Sequence, residues 1–173
     1  RASWFSHQSE TAKPYYYSVY LADHDVKAEV APSDRAAVLR FTFPDSKNSG
    51  VIADAFDKGS YIKVIPEEHT IVGYTTRNSG GGPENFRNWF VMKFDRPFES
   101  AQVYNGKDAV SGNEFEGEHA LAAVKFATRR GDKVNVAVAS SFISLEQAYT
   151  NLREVEGKDL EAVKADAKAR WND

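Results

Sequence analysis

Hydrophobic and polar residues alternate along most of the first 140 residues, and this alternation predicts β-strands. Within residues 15–21, one side carries Tyr15, Tyr17, Val19 and Leu21. A half-buried strand has this period of two. Similar segments occur at residues 26–30, 37–43, 51–56, 61–65, 71–76, 89–94, 101–104, 120–127 and 133–140. The polar residues 44–50 and 111–119 are predicted to be loops.

The period changes after residue 143. In residues 145–152 and 160–171, apolar residues recur three and four positions apart, which is typical of one face of a helix. Ser144 and Gln147 predict a capping box at the start of the first helix, and Asp159 predicts the N-cap of the second. Many strands followed by two helices predict a mainly β fold. We expect an antiparallel β-sandwich over residues 1–143 and a helical tail over residues 144–173.

Composition and charge exclude several classes of protein. The chain has 173 residues, about one domain, and 42% of them are hydrophobic. Its 22 basic and 25 acidic residues give a net charge of −3 without a basic patch, so a nucleic-acid partner is not expected. No run of ~18 apolar residues occurs, so no membrane span is predicted. The absence of cysteine excludes disulfides and thiolate metal sites.

The loop between the strands at residues 71–76 and 89–94 is the candidate substrate-binding site. Its glycines, Gly80, Gly81 and Gly82, allow the backbone to approach a ligand closely. Polar side chains that can donate or accept hydrogen bonds to a ligand are present at Arg77, Asn78, Glu84 and Asn85, and an aromatic side chain follows at Trp89. The alternative is a wide hairpin connection built from turn-forming residues.

His7 and Glu10 form a second candidate pair near the N-terminus. An imidazole and a carboxylate three residues apart could enter one pocket and bind substrate. The alternative is a local hydrogen bond before the first strand.

No catalytic residue or metal ligand is predicted, because the sequence contains no phosphate-binding glycine motif, nucleophile elbow or calcium loop. No pair of carboxylates can be assigned to a common pocket, as glycoside hydrolysis usually requires.

Five segments together carry a family resemblance. The first combines residues 5–7 and Glu10 with Pro14 and the strand at residues 16–21. The others are residues 34–44, 73–98, 136–152 and 159–172. Each motif is weak alone, but five in the same order are specific. They resemble the N-terminal part of glycoside hydrolase family 92, although Tyr15 stands where many members have glycine.

The resemblance implies a β-supersandwich that forms the N-terminal domain of a calcium-dependent, inverting exo-α-mannosidase. It also implies a C-terminal (α/α)6 barrel that carries the catalytic residues and the calcium ligands. The parent is therefore expected to be an enzyme, and this chain alone to be inactive. The implied partners are the barrel and a mannose-containing glycan, and the implied location is secreted or periplasmic. The chain is expected to begin after an upstream family segment and to end about where the barrel begins.

Two functions of other classes fit the same residues. One is a lectin-like sandwich that binds glycans without hydrolysis, and the other is a structural interaction domain. A lectin should bind mannosides without a second domain, whereas the mannosidase interpretation requires a barrel sequence after Asp173. The mannosidase interpretation also predicts an exposed sheet edge and a partly uncovered apolar helix face around Trp171.

Overall fold

The structure is a computed structural model that describes residues 3–172. Its strands are β1 Thr11–Lys13, β2 Tyr16–Leu21, β3 Val26–Pro32, β4 Ala36–Thr42, β5 Ser46–Asp54, β6 Ser60–Ile65, β7 Thr70–Thr75, β8 Asn88–Phe94, β9 Ser100–Asn105, β10 Asp108–Val110, β11 Glu114–Gly117, β12 Ala120–Thr128 and β13 Lys133–Ser141. The helices are α1 Leu145–Leu152 and α2 Leu160–Asn172, with short 3-10 turns at His7–Ser9, Ala22–His24 and Pro66–Glu68. Arg1, Ala2 and Asp173, which the two predicted regions include, lie outside the described residues. Within residues 3–172, the helices are too short and too polar to cross a membrane.

Two antiparallel sheets pack face to face. The larger sheet has nine strands in the order β1-β2-β3-β4-β13-β8-β7-β6-β11, and the smaller has four in the order β10-β9-β12-β5. Both α-helices lie on the outer face of the larger sheet, α1 against β13 and β8 and α2 against β3 and β4. The prediction of a mainly β antiparallel sandwich with two helices is confirmed.

The two faces of the larger sheet bury different apolar clusters. The inner cluster lies between the sheets and includes Ile62, Ile71, Val136 and Phe126. The outer cluster lies under the helices and includes Val38, Leu152, Leu160 and Val163. The helical apolar face is therefore covered over most of its length, but Trp171 at its end is 65% exposed.

Two predicted loops contain strands. β5 begins at Ser46, inside the predicted loop at residues 44–50, because its backbone forms hydrogen bonds with β12. These backbone hydrogen bonds do not require apolar side chains, so the polar residues did not indicate a strand. Gly50 suits this position, since a Cβ there would lie 2.8 Å from the carbonyl oxygen of Val124. β11 lies inside the predicted loop at residues 111–119. Its Glu114 and Glu116 are exposed, and Phe115 between them is half-buried. With one apolar residue among polar ones, the strand pattern is too short to recognise in the sequence.

The helix ends follow the capping residues. The Ser144 hydroxyl accepts a hydrogen bond from the Gln147 backbone N–H at 3.1 Å, so the cap is confirmed. The Gln147 side chain donates to Asn151 instead of returning to Ser144, so the capping box does not close. The Asp159 carboxylate accepts from the Ala162 N–H at 2.8 Å and caps α2.

Candidate functional site

The glycine-rich loop lies at one end of the sandwich, which we call the loop end. β7 ends there and β8 begins there, and antiparallel pairing brings the start of β6, the turn between β3 and β4 and the end of β13 to the same end. The loop end therefore consists of residues 33–35, 54–59, 76–87 and 142–144. Residues from four separate parts of the sequence meet there.

Arg77 lies against the segment between β5 and β6. Its guanidinium donates a hydrogen bond to the Asp57 carboxylate and stands 5.3 Å from the centre of the Phe56 ring. Both members of the ion pair are about half exposed, so water screens their attraction. Arg77 is thus held in place weakly and remains accessible to a ligand.

Asn78 stabilises the loop itself. Its side-chain amide donates to the Thr76 carbonyl at 3.1 Å, and its side-chain oxygen accepts from the Gly80 N–H at 2.8 Å. Gly80 and Gly81 follow with φ of +110° and +76°, a region that favours glycine. Each polar atom of the Asn78 side chain therefore already has a partner within the loop.

Glu84 and Asn85 are exposed, and neither side chain makes a hydrogen bond within residues 3–172. Trp89 differs, because it is half-buried and its ring packs edge-on against Tyr74, with the two ring centres 4.8 Å apart. The Arg87 guanidinium lies over the same Tyr74 ring, with its central carbon 4.9 Å from the ring centre. Trp89 therefore belongs to a packed cluster at the base of the loop.

Apolar side chains surround the loop without being covered. Phe142 and Ile143, between β13 and α1, are 69% and 79% exposed, and Phe142 contacts Phe86 with ring centres 5.6 Å apart. Phe56 is half exposed beside Arg77. Clustered exposed apolar side chains mark interaction surfaces. Composition did not single out Phe56, Asp57, Phe142 or Ile143, because they reach the loop only through the pairing of distant strands.

His7 and Glu10 form the local hydrogen bond that the sequence allowed. His7 Nδ1 lies 2.6 Å from Glu10 Oε2, and the Tyr17 hydroxyl donates to Glu10 Oε1. The hydrogen bond from Tyr17, followed by that from His7, lowers the pKa of the Glu10 carboxyl. Glu10 is therefore a carboxylate whose two oxygens are both engaged.

The His7–Glu10 pair is remote from the loop. The strand register places Tyr17 in one row with Val30, Leu39, Val136 and Phe94. Across the sheet, β2 lies four strands from β8, a distance of about 19 Å. Along β8, Phe94 lies six positions from Asn88, where the loop ends, a distance of about 20 Å. The structure therefore brings Arg77, Asn78, Glu84, Asn85 and Trp89 to one end and places His7 and Glu10 elsewhere.

The amino-acid sequence matches a known protein family. Residues 1–141 match the glycosyl hydrolase family 92 N-terminal domain. The chain belongs to this family.

Solved structures of GH92 enzymes resemble the domain over its whole length. An inverting mannosidase of family GH92 from Bacteroides thetaiotaomicron VPI-5482 is 36% identical, with a TM-score of 0.91 over 97% of this chain. A family GH92 α-mannosidase from Bacteroides thetaiotaomicron, solved with mannoimidazole, is 31% identical, with a TM-score of 0.90 over 98%. The GH92 domain spans only 23% and 24% of those chains. A comparison with curated protein sequences finds no match.

The family resemblance places its calcium ligands on the C-terminal barrel and not on this domain. Within residues 3–172, no three His, Asp or Glu side chains converge as ligands of a metal ion.

Proposed function

We propose that this GH92 domain packs through its loop end on the catalytic domain of an inverting exo-α-mannosidase and borders the sugar site there. The observation that carries the proposal is the exposed apolar surface of Phe56, Phe142 and Ile143 directly beside the polar glycine-rich loop. An apolar contact with polar groups at its rim suits a domain interface. Ligand sites are common at such interfaces.

Two loop residues are suited to contact sugar. Arg77 presents a half-exposed guanidinium, and the side chain of Asn85 is exposed. Asn78 is less suited because the polar atoms of its side chain form hydrogen bonds within the loop. Trp89 is less suited because its ring packs against Tyr74. His7 and Glu10 lie too far from the loop to share its sugar. We therefore assign the sugar contact to Arg77 and Asn85, at a mannose beyond the scissile bond.

The test is kinetic and uses the full-length parent enzyme. Arg77→Ala and Asn85→Ala should each lower kcat/KM for an oligomannoside by about tenfold, because each loses a hydrogen bond to the second sugar. An aryl mannoside lacks that sugar, and its kcat/KM should change by less than about twofold. Equal losses on both substrates, with unchanged stability, would exclude both residues from the sugar site.

A matched control is available at the opposite end of the sandwich. Arg130 is 79% exposed and forms an ion pair with Asp25, much as Arg77 does with Asp57. Arg130→Ala should leave kcat/KM unchanged for both substrates. A loss of oligomannoside activity in this variant would show that surface charge, and not the loop, controls the kinetics.

The docking surface has a separate test in the full-length enzyme. Phe142→Ser should lower the midpoint of thermal inactivation, because it removes apolar area from the domain contact. Trp4→Ser, which changes an equally exposed residue at the opposite end, is the control and should leave the midpoint unchanged. A Phe142→Ser enzyme with unaltered inactivation would place the contact elsewhere.

The domain alone should release no mannose, with or without calcium, because we assign the catalytic carboxylates and the calcium to the rest of the parent. Release of mannose from an aryl mannoside by the purified 173-residue chain would contradict this assignment. Mannoside binding by the chain alone, as tight as binding by the parent, would favour the lectin-like function. Calcium dependence and a secreted or periplasmic location remain part of the proposal.

A further inference from the structure

The segment between β5 and β6, residues 55–59, has an unusual backbone. Phe56 and Lys58 have φ of +65° and +72°, in the left-handed region that bulky residues rarely adopt. Asp25 and His69 also lie in this region, but each of them ends a short 3-10 turn. Phe56 ends no helix, and a glycine would adopt its conformation more easily. The aromatic side chain therefore occupies this position at an energetic cost.

Hydrogen bonds on both sides of Phe56 hold its backbone in this conformation. Its N–H donates to the Asp54 carboxylate at 2.9 Å, and its carbonyl accepts from the Ser60 hydroxyl at 2.7 Å. Farther along the segment, the Gly59 N–H donates to the carbonyl of Glu118 at 3.1 Å. A strained conformation persists only where the surrounding structure fixes it. The direction in which the Phe56 ring leaves the backbone is thus set before any ligand binds.

Thr76 connects this segment to the start of the glycine-rich loop. Its hydroxyl lies 2.6 Å from the carbonyl oxygen of Lys58 and 2.7 Å from that of Gly59. Its backbone N–H donates to the Gly59 carbonyl at 3.0 Å. Arg77 follows directly, and its guanidinium lies over the Phe56 ring. The ring and the guanidinium therefore belong to one hydrogen-bonded unit.

The exposed surface of this unit combines an apolar ring with one donor and one acceptor. Phe56 is half exposed, and so are the side chains of Asp57 and Arg77. The Asp57 carboxylate accepts from Arg77 through Oδ1, and within residues 3–172 its Oδ2 makes no hydrogen bond. The opposite charges of Asp57 and Arg77 cancel. A neutral ligand with an apolar face and hydroxyl groups at its edge fits this surface.

Phe56 is separate from the other exposed apolar residues of the loop end. Phe142 and Ile143 follow β13, whereas Phe56 precedes β6. β13 and β6 are three strands apart in the larger sheet, or about 14 Å. The glycine-rich loop between β7 and β8 lies between the two groups. A domain contact through Phe142 and Ile143 therefore leaves room for a ligand at Phe56.

We infer that Phe56 is a specificity-determining residue that stacks on the ring of the mannose beyond the scissile bond. A pyranose carries C–H groups on its faces and hydroxyls around its edge. The C–H groups suit the negative face of an aromatic ring, while Asp57 accepts from one hydroxyl and Arg77 donates to another. This inference rests on the proposed function, which assigns the same sugar to Arg77 and Asn85. It adds a rigid aromatic ring that selects substrates with a second sugar.

The first test compares Phe56→Leu with Phe56→Tyr in the full-length parent enzyme. Leucine keeps an apolar side chain without the aromatic ring, and tyrosine keeps the ring. Phe56→Leu should lower kcat/KM for an oligomannoside by about tenfold, and Phe56→Tyr by less than about twofold. α-Mannosyl fluoride has no second sugar, so its kcat/KM should change by less than about twofold in both variants. Full oligomannoside activity of Phe56→Leu would show that any apolar contact suffices and would overturn the inference.

The second test uses Phe56→Gly to separate sugar binding from folding. Glycine relieves the left-handed backbone, so the midpoint of thermal unfolding of the purified chain should rise by about 2 °C. The same change in the parent should lower oligomannoside kcat/KM at least about tenfold. Lys58→Gly is the matched control, because it relieves the same kind of strain at an exposed residue and leaves the ring in place. Its midpoint should also rise, with kcat/KM unchanged.

A lower midpoint for Phe56→Gly would show that the ring serves the fold and would overturn the inference. The outcome is also separable from that of the proposed function. If Arg77→Ala and Asn85→Ala impair oligomannoside hydrolysis but Phe56→Leu does not, only the stacking assignment fails. If none of the three variants impairs it, the proposed sugar site fails and the assignment of Phe56 fails with it.

Discussion

Two arginines of this domain, Arg40 and Arg77, both form ion pairs but in opposite environments. Arg40 is 14% exposed, and its guanidinium donates two hydrogen bonds to Glu29, at 2.9 and 3.0 Å. It donates a third to Glu161 of α2 at 2.8 Å. Arg77 is 49% exposed and pairs with Asp57 alone. The two sites therefore differ in burial and in the number of partners.

The buried pair belongs to a closed network. Glu29 also accepts hydrogen bonds from the Tyr16 hydroxyl at 2.6 Å and from Lys27 at 3.1 Å. Burial by itself raises the pKa of Glu29, but the hydrogen bonds from Arg40, Tyr16 and Lys27 lower it to about 2. The network joins α2 to the sheet through Arg40 and engages both oxygens of the buried Glu29 carboxylate. The comparison teaches that the polar groups under α2 stabilise the fold, whereas those at the loop end are available to a partner.

The largest expected effect is that of Arg40→Met in the purified chain. Removing the guanidinium leaves Glu29 buried with Lys27 and Tyr16 only, and such a loss costs about 3–5 kcal/mol of unfolding free energy. Urea denaturation followed by circular dichroism measures the change. A loss below about 1 kcal/mol would show that the network contributes no more than a surface pair and would remove the contrast with Arg77.

The next effect is a dependence of stability on acid pH. The pKa of Glu29 is about 2 in the folded state against an ordinary value of 4.5. A carboxyl with a lowered folded pKa adds stability above its unfolded pKa, and this stability is lost as the pH falls through the folded pKa. Between about pH 4.5 and pH 2, the chain should therefore lose on the order of 3 kcal/mol through Glu29.

Urea denaturation at a series of pH values measures the total acid loss, to which other carboxylates also contribute. Titration of the Glu29 carboxyl by nuclear magnetic resonance isolates its share, since the resonance should move only near pH 2. A titration midpoint near 4.5 would show that the hydrogen bonds to Glu29 do not favour its charged form.

The smallest effect is expected for Arg77→Met. Exposed ion pairs contribute about 0–1 kcal/mol, so the unfolding free energy of the chain should change by less than about 0.5 kcal/mol. The same urea experiment serves as the measurement, and Arg40→Met provides the reference for a large change. A loss above about 2 kcal/mol would make Arg77 a structural residue and would weaken its assignment to the sugar site.

The elements with a clear period were predictable from the sequence. The alternation in residues 37–43 and the helical spacing in residues 145–152 each correspond to an element at that place. The second half of β5 was predicted as a strand, but its first half, residues 46–50, and β11 were missed. Polar residues or glycine occupy most of these positions, and their pairing with β12 and β6 depends on strands far away in the sequence. The N-caps Ser144 and Asp159 were found because capping is local.

The candidate site was predictable only in part. The glycine-rich loop was recognisable because three consecutive glycines and their polar neighbours are adjacent in sequence. Its surroundings were not, since Phe56, Asp57, Phe142 and Ile143 come to the loop end from other strands. The sequence also offered His7 and Glu10 as a second candidate pair, and the strand register places this pair far from the loop.

By itself, the sequence determined the class of fold, the helical tail and the family, because period, capping residues and ordered motifs are properties of short segments. Only the tertiary structure decided which charges are buried. Glu29 and Arg40 look like ordinary outward-facing residues of alternating strands, and α2, more than a hundred residues later, closes over them and adds Glu161. Burial depends on which distant element covers a side chain, and strand alternation alone does not specify that element.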